Sequence, residues 1–147
     1  LVAFGGERAT LVLPPTGSVE RAERELRGLP TGGRTPLAHA LHLAAEVFRR
    51  GGRGGQAAVP WLVLVTDGRP NVPLHTANAY EDMMEQVAVL REQRVRALVL
   101  DTETGRVRVG VNRRLARALN GEYLRLDDLG AEGLARTVRH RVDASTP

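Results

Sequence analysis

The sequence predicts an α/β fold with a mainly parallel sheet and helices on both of its faces. From the middle of the chain onward, short apolar runs of strand length alternate with longer segments of helical periodicity, which is the order that βαβ units produce. The runs 61–65 and 95–100 are apolar at nearly every position, which is typical of parallel strands buried on both faces. Right-handed crossovers between such strands place helices on both sides of the sheet.

The first elements are predicted to be a hairpin and a short helix. Apolar stretches at 1–4 and 9–13 flank the turn sequence Gly5-Gly6-Glu7-Arg8, which predicts an antiparallel hairpin at the edge of the sheet. Ser18 can cap a helix that runs to about Arg27 and that Gly28 terminates.

A second helix is predicted after the loop 29–36, which is rich in glycine and proline. Pro36 suits the first position of a helix, with Thr35 as its cap. Apolar side chains then recur at i, i+4, i+7, i+8 and i+11, which is the periodicity of an amphipathic helix. These residues are Leu37, Leu41, Ala44, Ala45 and Phe48.

The second half of the chain continues the alternation. The predicted elements are a strand at 61–65, a helix at about 76–93, a strand at 95–100, a helix at 111–119, a strand at 123–126 and a helix at 129–142. Residues 143–147 are predicted to form a disordered tail. The first two strands end at Asp67 and Asp101, and the carboxyl ends of parallel strands are where such sheets bind ligands.

Composition excludes several classes of function. The chain has 147 residues, of which 42% are hydrophobic, so it can build the core of one domain. It has no cysteine, which excludes disulfides and zinc–thiolate sites and favours the cytoplasm. No apolar run is long enough to span a membrane. All 21 basic residues are arginines scattered among 17 acidic residues, so binding to nucleic acid is not predicted.

Motifs for phosphate binding and nucleophilic catalysis are missing. A Walker A loop needs a lysine, and the chain has none. The segment 52–57 fits G-x-G-x-x-A, but it follows a helix and precedes a strand, the reverse of the dinucleotide-binding context. We therefore predict that the chain does not bind ATP. No Ser-His-Asp grouping carries a local signature of catalysis.

Two groups of residues could hold a metal ion. His39, His42 and Glu46 lie along the polar side of the Pro36 helix, where they are either ligands of a transition metal or a solvated helix face. Thr35 and Asp67 lie on loops at the ligand-binding edge of the sheet, and their hydroxyl and carboxylate oxygens suit Mg²⁺. The alternative is that Thr35 only caps its helix and Asp67 only forms a turn.

Two segments resemble one family. The loop 29–38 (LPTGGRTPLA) and the segment 62–71 (LVLVTDGRPN) are similar to the von Willebrand factor A domain of the D-type subunit of magnesium and cobalt chelatases. The stretch 11–15 and the run from Leu100 to Leu129 resemble the same domain. The resemblance covers nearly the whole chain, and it implies a Rossmann-like von Willebrand A fold with residues 1–147 as a single partial domain.

The resemblance also implies a metal-ion-dependent adhesion site. Thr35 matches the threonine of the family's second loop, and Asp67 matches the aspartate of its third loop. The motif D-x-S-x-S of the first loop, and the central first strand that precedes it, are expected to be missing from this chain. Docking of a partner is expected to involve the residues beside the two ligands, which are Gly33, Arg34, Gly68 and Arg69.

The function that the resemblance implies is protein interaction in an ATP-dependent tetrapyrrole metallochelatase. The expected partners are an AAA+ ATPase subunit and a large catalytic chelatase subunit, and no catalytic residue is expected in this chain. A bound Mg²⁺ ion would serve recognition. The alternative is a von Willebrand A adaptor of a MoxR-type AAA+ system that matures another enzyme.

Overall fold

The computed structural model describes residues 1–29, 32–51, 59–103 and 110–128, and residues 133, 136 and 140. The chain divides into two compact units, which we describe separately. The first unit comprises residues 1–54 and 70–89, and the second comprises residues 55–69 and 90–147. That the whole chain is a single von Willebrand A domain stays a prediction.

The first unit begins with the predicted hairpin. Strand β1 (Val2–Gly5) pairs antiparallel with strand β2 (Arg8–Leu11) and forms a two-stranded sheet. Gly6 occupies the turn with φ +62°, a conformation that glycine adopts without strain. Strand β2 ends two residues earlier than predicted, because the N–H groups of Val12 and Leu13 both donate to the carbonyl of Leu1.

Helix α1 (Val19–Arg27) has the predicted bounds. Ser18 is its N-cap, and the Ser18 hydroxyl accepts a hydrogen bond of 3.2 Å from the N–H of Arg21. This bond satisfies one of the amide groups that the first turn of a helix leaves without a partner. Gly28 caps the C-terminus of the helix.

Helix α2 (Leu37–Gly51) packs against the hairpin, and the predicted apolar stripe is its buried side. The prediction that Pro36 is the first helical residue is wrong by one position. The carbonyl of Pro36 accepts the N–H of Ala40 at 3.1 Å, so Pro36 stands at the cap and Thr35 lies outside the helix.

Helix α3 (Ala79–Glu92) begins three residues later than predicted. The cause is Asn78, whose Oδ1 atom accepts hydrogen bonds from the N–H groups of Tyr80 and Glu81 and so starts the helix. Met83, Val87 and Leu90 are buried on one side, as the periodicity predicts. Residues up to 89 belong to the first unit, and the last turn belongs to the second.

The second unit contains the parallel sheet. Its strands are β3 (Trp61–Thr66), β4 (Arg96–Asp101) and β5 (Glu122–Arg125), in the order β3-β4-β5. Helix α4 (Val111–Ala118) packs on β4 and β5. The register pairs Thr66 with Asp101 and Asp101 with Arg125, so the carboxyl ends of the three strands are aligned. The predicted α/β class with parallel strands is confirmed.

The prediction that the first parallel strand is buried on both faces is wrong. Burial along β3 alternates: Leu62 and Leu64 are buried, whereas Val63 is 39% exposed and Val65 is 49% exposed. In the described sheet β3 is an edge strand. The central strand β4, by contrast, is buried from Ala97 to Asp101.

Two predictions fall largely outside the described residues. Of the predicted helix 129–142, only Gly133, Arg136 and His140 are described, and all three are helical. The predicted tail 143–147 lies outside the described residues. A search of the described part of the chain finds no helix whose length and apolar character would let it cross a membrane.

Candidate functional site

Asp67 lies on a tight turn directly after β3. The hydroxyl of Thr66 accepts the N–H of Gly68 at 3.1 Å, and Oδ1 of Asp67 accepts the N–H of Arg69 at 3.3 Å. These two bonds are those of a turn residue, so that interpretation of Asp67 is confirmed. The side chain of Asp67 is nevertheless exposed, and its Oδ2 atom accepts no hydrogen bond from the described residues.

Gly68 allows the turn to rest on a buried side chain. Its φ angle is +75°, and a Cβ atom at this position would overlap the side-chain amide of Asn112. Both the positive φ and the close contact exclude a larger residue without rearrangement. Gly68 was predicted as part of a docking loop, and the structure gives it this packing role within the second unit.

Asn112, on the first turn of α4, ties the ends of two strands together. Its Nδ2 atom donates to the carbonyl of Thr66 at 3.0 Å and to Oδ1 of Asp101 at 2.6 Å. Because both partners are acceptors, they fix which end of the amide is the nitrogen. The Oδ1 atom of Asn112 is buried, accepts no hydrogen bond from the residues that the structure describes, and lies against Gly68.

Asp101 is the centre of this buried network. It also accepts the N–H of Glu103 at 2.8 Å and the phenol of Tyr123 at 2.6 Å. Burial, this hydrogen bond and the negative charge of Asp101 raise the pKa of Tyr123 above its ordinary value. The buried carboxylate is therefore stabilised by several donors, which is what burial of a charge requires.

Arg69 connects the turn to a second buried carboxylate. Its Nη2 atom lies 3.0 Å from Oε1 of Glu103, whose side chain is almost completely buried. The Arg69 side chain as a whole is nevertheless more than half exposed. The predicted docking residue Arg69 therefore has one side fixed to the protein and the other in contact with solvent.

Thr35 lies in the first unit, on a loop that Asn71 holds. Oδ1 of Asn71 accepts the N–H of Thr35 at 2.7 Å, and the carbonyl of Thr35 accepts the N–H groups of Asn71 and Leu37. Its hydroxyl makes no hydrogen bond with any residue that the structure describes, so the interpretation of Thr35 as a helix cap is wrong. The backbone of Thr35 is fixed while its hydroxyl oxygen is available as a ligand.

Arg34 and Gly33 complete this loop. Arg34 forms an exposed ion pair with Glu7 at 2.5 Å, and its Nη2 atom donates to the carbonyl of Asn71 at 3.2 Å. Gly33 has a φ of +97° and is exposed. Asn71 therefore holds both Thr35 and Arg34.

The two predicted magnesium ligands belong to different units, so their joint site stays a prediction. A threonine hydroxyl and an aspartate carboxylate are oxygen donors of the kind that Mg²⁺ prefers, and each side chain has an oxygen that accepts no hydrogen bond from the described residues. Within the described ranges, no group of three or more His, Cys, Asp or Glu side chains could hold a metal ion.

The alternative metal site on helix α2 is not supported. The Nε2 atom of His39 lies 3.1 Å from the carbonyl of Pro73, and Nδ1 of His42 lies 3.1 Å from the side-chain oxygen of Gln86. Glu46 forms ion pairs with two arginines of its own helix. Each of the three side chains has a different structural partner, and they do not converge on one point.

Sequence reasoning missed the residues that support the two loops. Asn71 ends the segment 62–71, and the sequence around it does not indicate the role of its side chain. Asn112 and Tyr123 were predicted as parts of a helix and a strand without polar roles. A polar residue in the first turn of an otherwise apolar helix face is the signal that could have identified Asn112.

The parallel strands, their helices and the polar carboxyl edge define an α/β fold, and this fold is consistent with the Rossmann-like von Willebrand A type. No family model matches the chain. Comparison with curated proteins finds three informative relatives. The magnesium-chelatase 60 kDa subunit of Cereibacter sphaeroides is 40% identical over 94% of this chain and 25% of the subunit. The magnesium-chelatase 67 kDa subunit of Chlorobaculum tepidum is 37% identical over 90% of this chain and 23% of the subunit.

The third relative is similar over most of its own length. It is an uncharacterized protein of Methanocaldococcus jannaschii, 33% identical over 90% of this chain and 76% of that protein. The chain belongs to the family of the magnesium-chelatase 60 and 67 kDa subunits. It spans about a quarter of the length of these subunits.

Proposed function

We propose that this chain is a protein-interaction domain of an ATP-dependent tetrapyrrole metallochelatase, and that it docks partner subunits through segments 33–35 and 67–69. The observation that carries the proposal is the exposed carboxylate of Asp67 on a turn that a buried polar network supports from beneath. A charged group held in one orientation at the surface loses little conformational freedom on binding, and this favours recognition. Membership in the chelatase family supplies the class of complex.

The proposal includes Mg²⁺, with Thr35 and Asp67 as its ligands from this chain. Mg²⁺ keeps several waters and takes one or two carboxylates from a protein. A carboxylate of the docked partner would complete the coordination, so binding of the partner would depend on the ion. The hydroxyl of Thr35, which has no hydrogen-bond partner among the described residues, and the exposed carboxylate of Asp67 support this assignment.

The partners that we propose are an AAA+ ATPase subunit and a large catalytic chelatase subunit. Gly33, Arg34, Gly68 and Arg69 would surround the contact, because they flank the two ligands in sequence. The side chains of Arg34 and Arg69 are more than half exposed although each pairs with a carboxylate of this chain, so their remaining N–H donors favour a partner surface with carboxylates. No bond-making role is proposed for this chain.

The test compares the affinity of the chain for the two chelatase subunits before and after small substitutions. Asp67→Asn keeps an oxygen that can accept the N–H of Arg69, and Thr35→Val keeps the shape of the side chain while removing its hydroxyl. Each should weaken binding of at least one subunit about tenfold or more in Mg²⁺, since each removes a charge-assisted or coordinating contact. The control Asp127→Asn changes another exposed aspartate and should have no effect.

The same measurement in EDTA separates docking from metal binding. We expect EDTA to lower the affinity for the chelatase subunits. In EDTA, Asp67→Asn should cause no further loss. Affinity that Asp67→Asn lowers but EDTA does not would remove the ion from the proposal. Unchanged affinity for both subunits with Asp67→Asn and Thr35→Val would refute the docking surface. Binding to a MoxR-type ATPase in place of the chelatase subunits would favour the alternative adaptor function.

A further inference from the structure

A cavity of about 550 Å³ lies at the amino ends of the parallel strands, within the second unit. Its walls include the first residue of each strand, which are Trp61, Arg96 and Glu122. The candidate docking turn follows the other end of β3, so this cavity is a separate feature. Its volume is in the range of sites that bind small molecules, which is about 300–1,000 Å³.

Three arginines line the cavity, Arg91, Arg94 and Arg96, together with one acidic residue, Glu122. In the part of the chain that the structure describes, the side chains of Arg91 and Arg94 form neither an ion pair nor a hydrogen bond. A guanidinium group offers a fork of N–H donors that matches a carboxylate or a phosphate. Two such groups without an acidic partner make the wall of this cavity suited to an anion.

Trp61 adds an aromatic surface to the cavity. The guanidinium carbon of Arg96 lies 5.8 Å from the centre of the indole ring, a distance typical of a cation–π contact. The indole nitrogen itself is buried, so it is the ring of Trp61 that lines the cavity.

The backbone at Arg94 is a second independent observation. Helices α3 and α4 end with the same pair of backbone hydrogen bonds. After α3, the N–H of Arg94 donates to the carbonyl of Arg91, and the N–H of Val95 donates to the carbonyl of Leu90. After α4, the N–H of Asn120 donates to the carbonyl of Arg117, and the N–H of Gly121 donates to the carbonyl of Ala116. This is the Schellman pattern, which places one residue in the left-handed region. That residue is Arg94 with φ 56° in the first case and Asn120 with φ 53° in the second.

Arginine is a poor residue for this position. Glycine adopts the left-handed conformation without strain and asparagine tolerates it, as at Asn120, whereas arginine has no local interaction that compensates. A residue that is unfavourable for the backbone points to a role of its side chain. Arg94 is one of the residues that line the cavity, so its side chain is placed where it could hold a ligand.

The charges at the cavity leave a net positive balance. Three arginines and one glutamate line the cavity, and the two helix C-termini contribute roughly half a negative charge each. Among the described lining residues about one positive charge therefore remains, which favours an anion.

We propose that this cavity binds a small molecule with anionic oxygens, a carboxylate or a phosphate, which Arg91 and Arg94 hold and which rests against Trp61. The inference is independent of the docking function proposed above. The guanidinium donors of Arg91 and Arg94 supply hydrogen bonds to the anion, and the indole ring of Trp61 supplies an apolar contact.

The intrinsic fluorescence of the chain can be used to follow this cavity, because Trp61 is its single tryptophan. The experiment is a titration of tryptophan fluorescence with inorganic pyrophosphate and, separately, with citrate, at constant ionic strength and with sodium chloride as the reference. A saturable change is expected below about 10 mM, the weak end of specific binding. Arg91→Gln and Arg94→Gln should each weaken the affinity for the anion about tenfold. Arg24→Gln, an exposed arginine on α1, is the matched control and should leave it unchanged.

Arg94→Gly separates binding from stability. Glycine relieves the left-handed backbone, so this variant should melt at the same or a higher temperature and yet lose the anion. Saturation by pyrophosphate alone or by citrate alone would support the site and identify a phosphate or a carboxylate. The proposal is overturned by a response no larger than that to chloride, by equal losses in Arg24→Gln, or by full affinity in Arg94→Gly.

Discussion

The two loops that carry the proposed ligands are held in different ways. The turn at Asp67 rests on Asn112 and Asp101, which are buried and hydrogen-bonded to each other. The loop at Thr35 is held by Asn71, whose side chain is exposed, and by an exposed ion pair of Arg34. One loop is supported by the protein interior and the other by contacts at its surface.

This difference predicts how strongly substitutions near each loop affect the stability of the chain. A hydrogen bond in a buried network is stronger than one in water, and removing one partner leaves the other without a substitute. Water can replace a partner at the surface, so exposed contacts contribute less. Substitutions of the buried residues beneath the Asp67 turn should therefore lower the stability of the chain strongly. Substitutions of the exposed residues that hold the Thr35 loop should lower it only slightly.

The largest effect is expected from Gly68→Ala. The left-handed backbone costs alanine about 1–2 kcal/mol, and overlap with the buried Asn112 side chain adds about 1–3 kcal/mol. The free energy of unfolding, measured with urea, should fall by their sum. The double variant Gly68→Ala with Asn112→Ala should lose less than the sum of the two single changes, because the overlap is then gone.

Gly110→Ala is the matched control for this prediction. Gly110 has a similar φ of +68°, but a Cβ atom there would meet no atom of the described residues within 4 Å. Its substitution should therefore show only the backbone cost of about 1–2 kcal/mol. If Gly68→Ala and Gly110→Ala lower the free energy of unfolding equally, then contact with Asn112 is not the reason why a larger residue is unfavourable at position 68.

A smaller, pH-dependent effect is expected from Tyr123→Phe. The variant loses the hydrogen bond to Asp101, which contributes about 1.5 kcal/mol for a charged acceptor. The pKa of Tyr123 is raised in the folded chain, so the unfolded chain releases the phenolic proton first as the pH rises. The stabilisation is complete below the ordinary tyrosine pKa near 10 and is lost as the pH rises through the folded value.

The measurement is urea unfolding of the two proteins from pH 7 to 11. The difference in free energy of unfolding should be constant at neutral pH and shrink above pH 10. Tyr80→Phe, at a side chain that is 39% exposed, should change stability by less than about 0.5 kcal/mol at neutral pH. A difference between wild type and Tyr123→Phe that does not shrink in alkali would contradict the bond to Asp101.

Periodicity predicted the elements of this fold because each buries one apolar face, as helix α2 does with Leu37 and Leu41. It could not predict that Val63 and Val65 are exposed, because an apolar run does not show whether a neighbour covers its second face. Helix starts were wrong by one to three residues where side chains such as Asn78 form the cap, since competing caps in a polar segment look alike in sequence.

The sequence predicted those residues of the candidate site that can be recognised from their immediate neighbours in the chain. Asp67 follows an apolar strand, and Thr35 precedes a proline and a helix, so both could be named from neighbouring residues. The partners of Asp101 at Asn112 and Tyr123 lie 11 and 22 residues away and depend on tertiary packing. The hydrogen bond from Thr35 to Asn71 spans 36 residues, and no sequence pattern indicates it.

The smallest effect is expected from Asn71→Ala. It removes the acceptor of the Thr35 N–H at an exposed position, where water can replace it, so stability should fall by only about 0.5–1.5 kcal/mol. The local effect should be larger: the Thr35 amide should exchange its hydrogen faster in NMR measurements, whereas Asn71→Asp, which keeps an acceptor oxygen, should preserve protection. Were Asn71→Ala to destabilise the chain as much as Gly68→Ala, the two loops would be equally dependent on their supports. The distinction between interior and surface support would then fail.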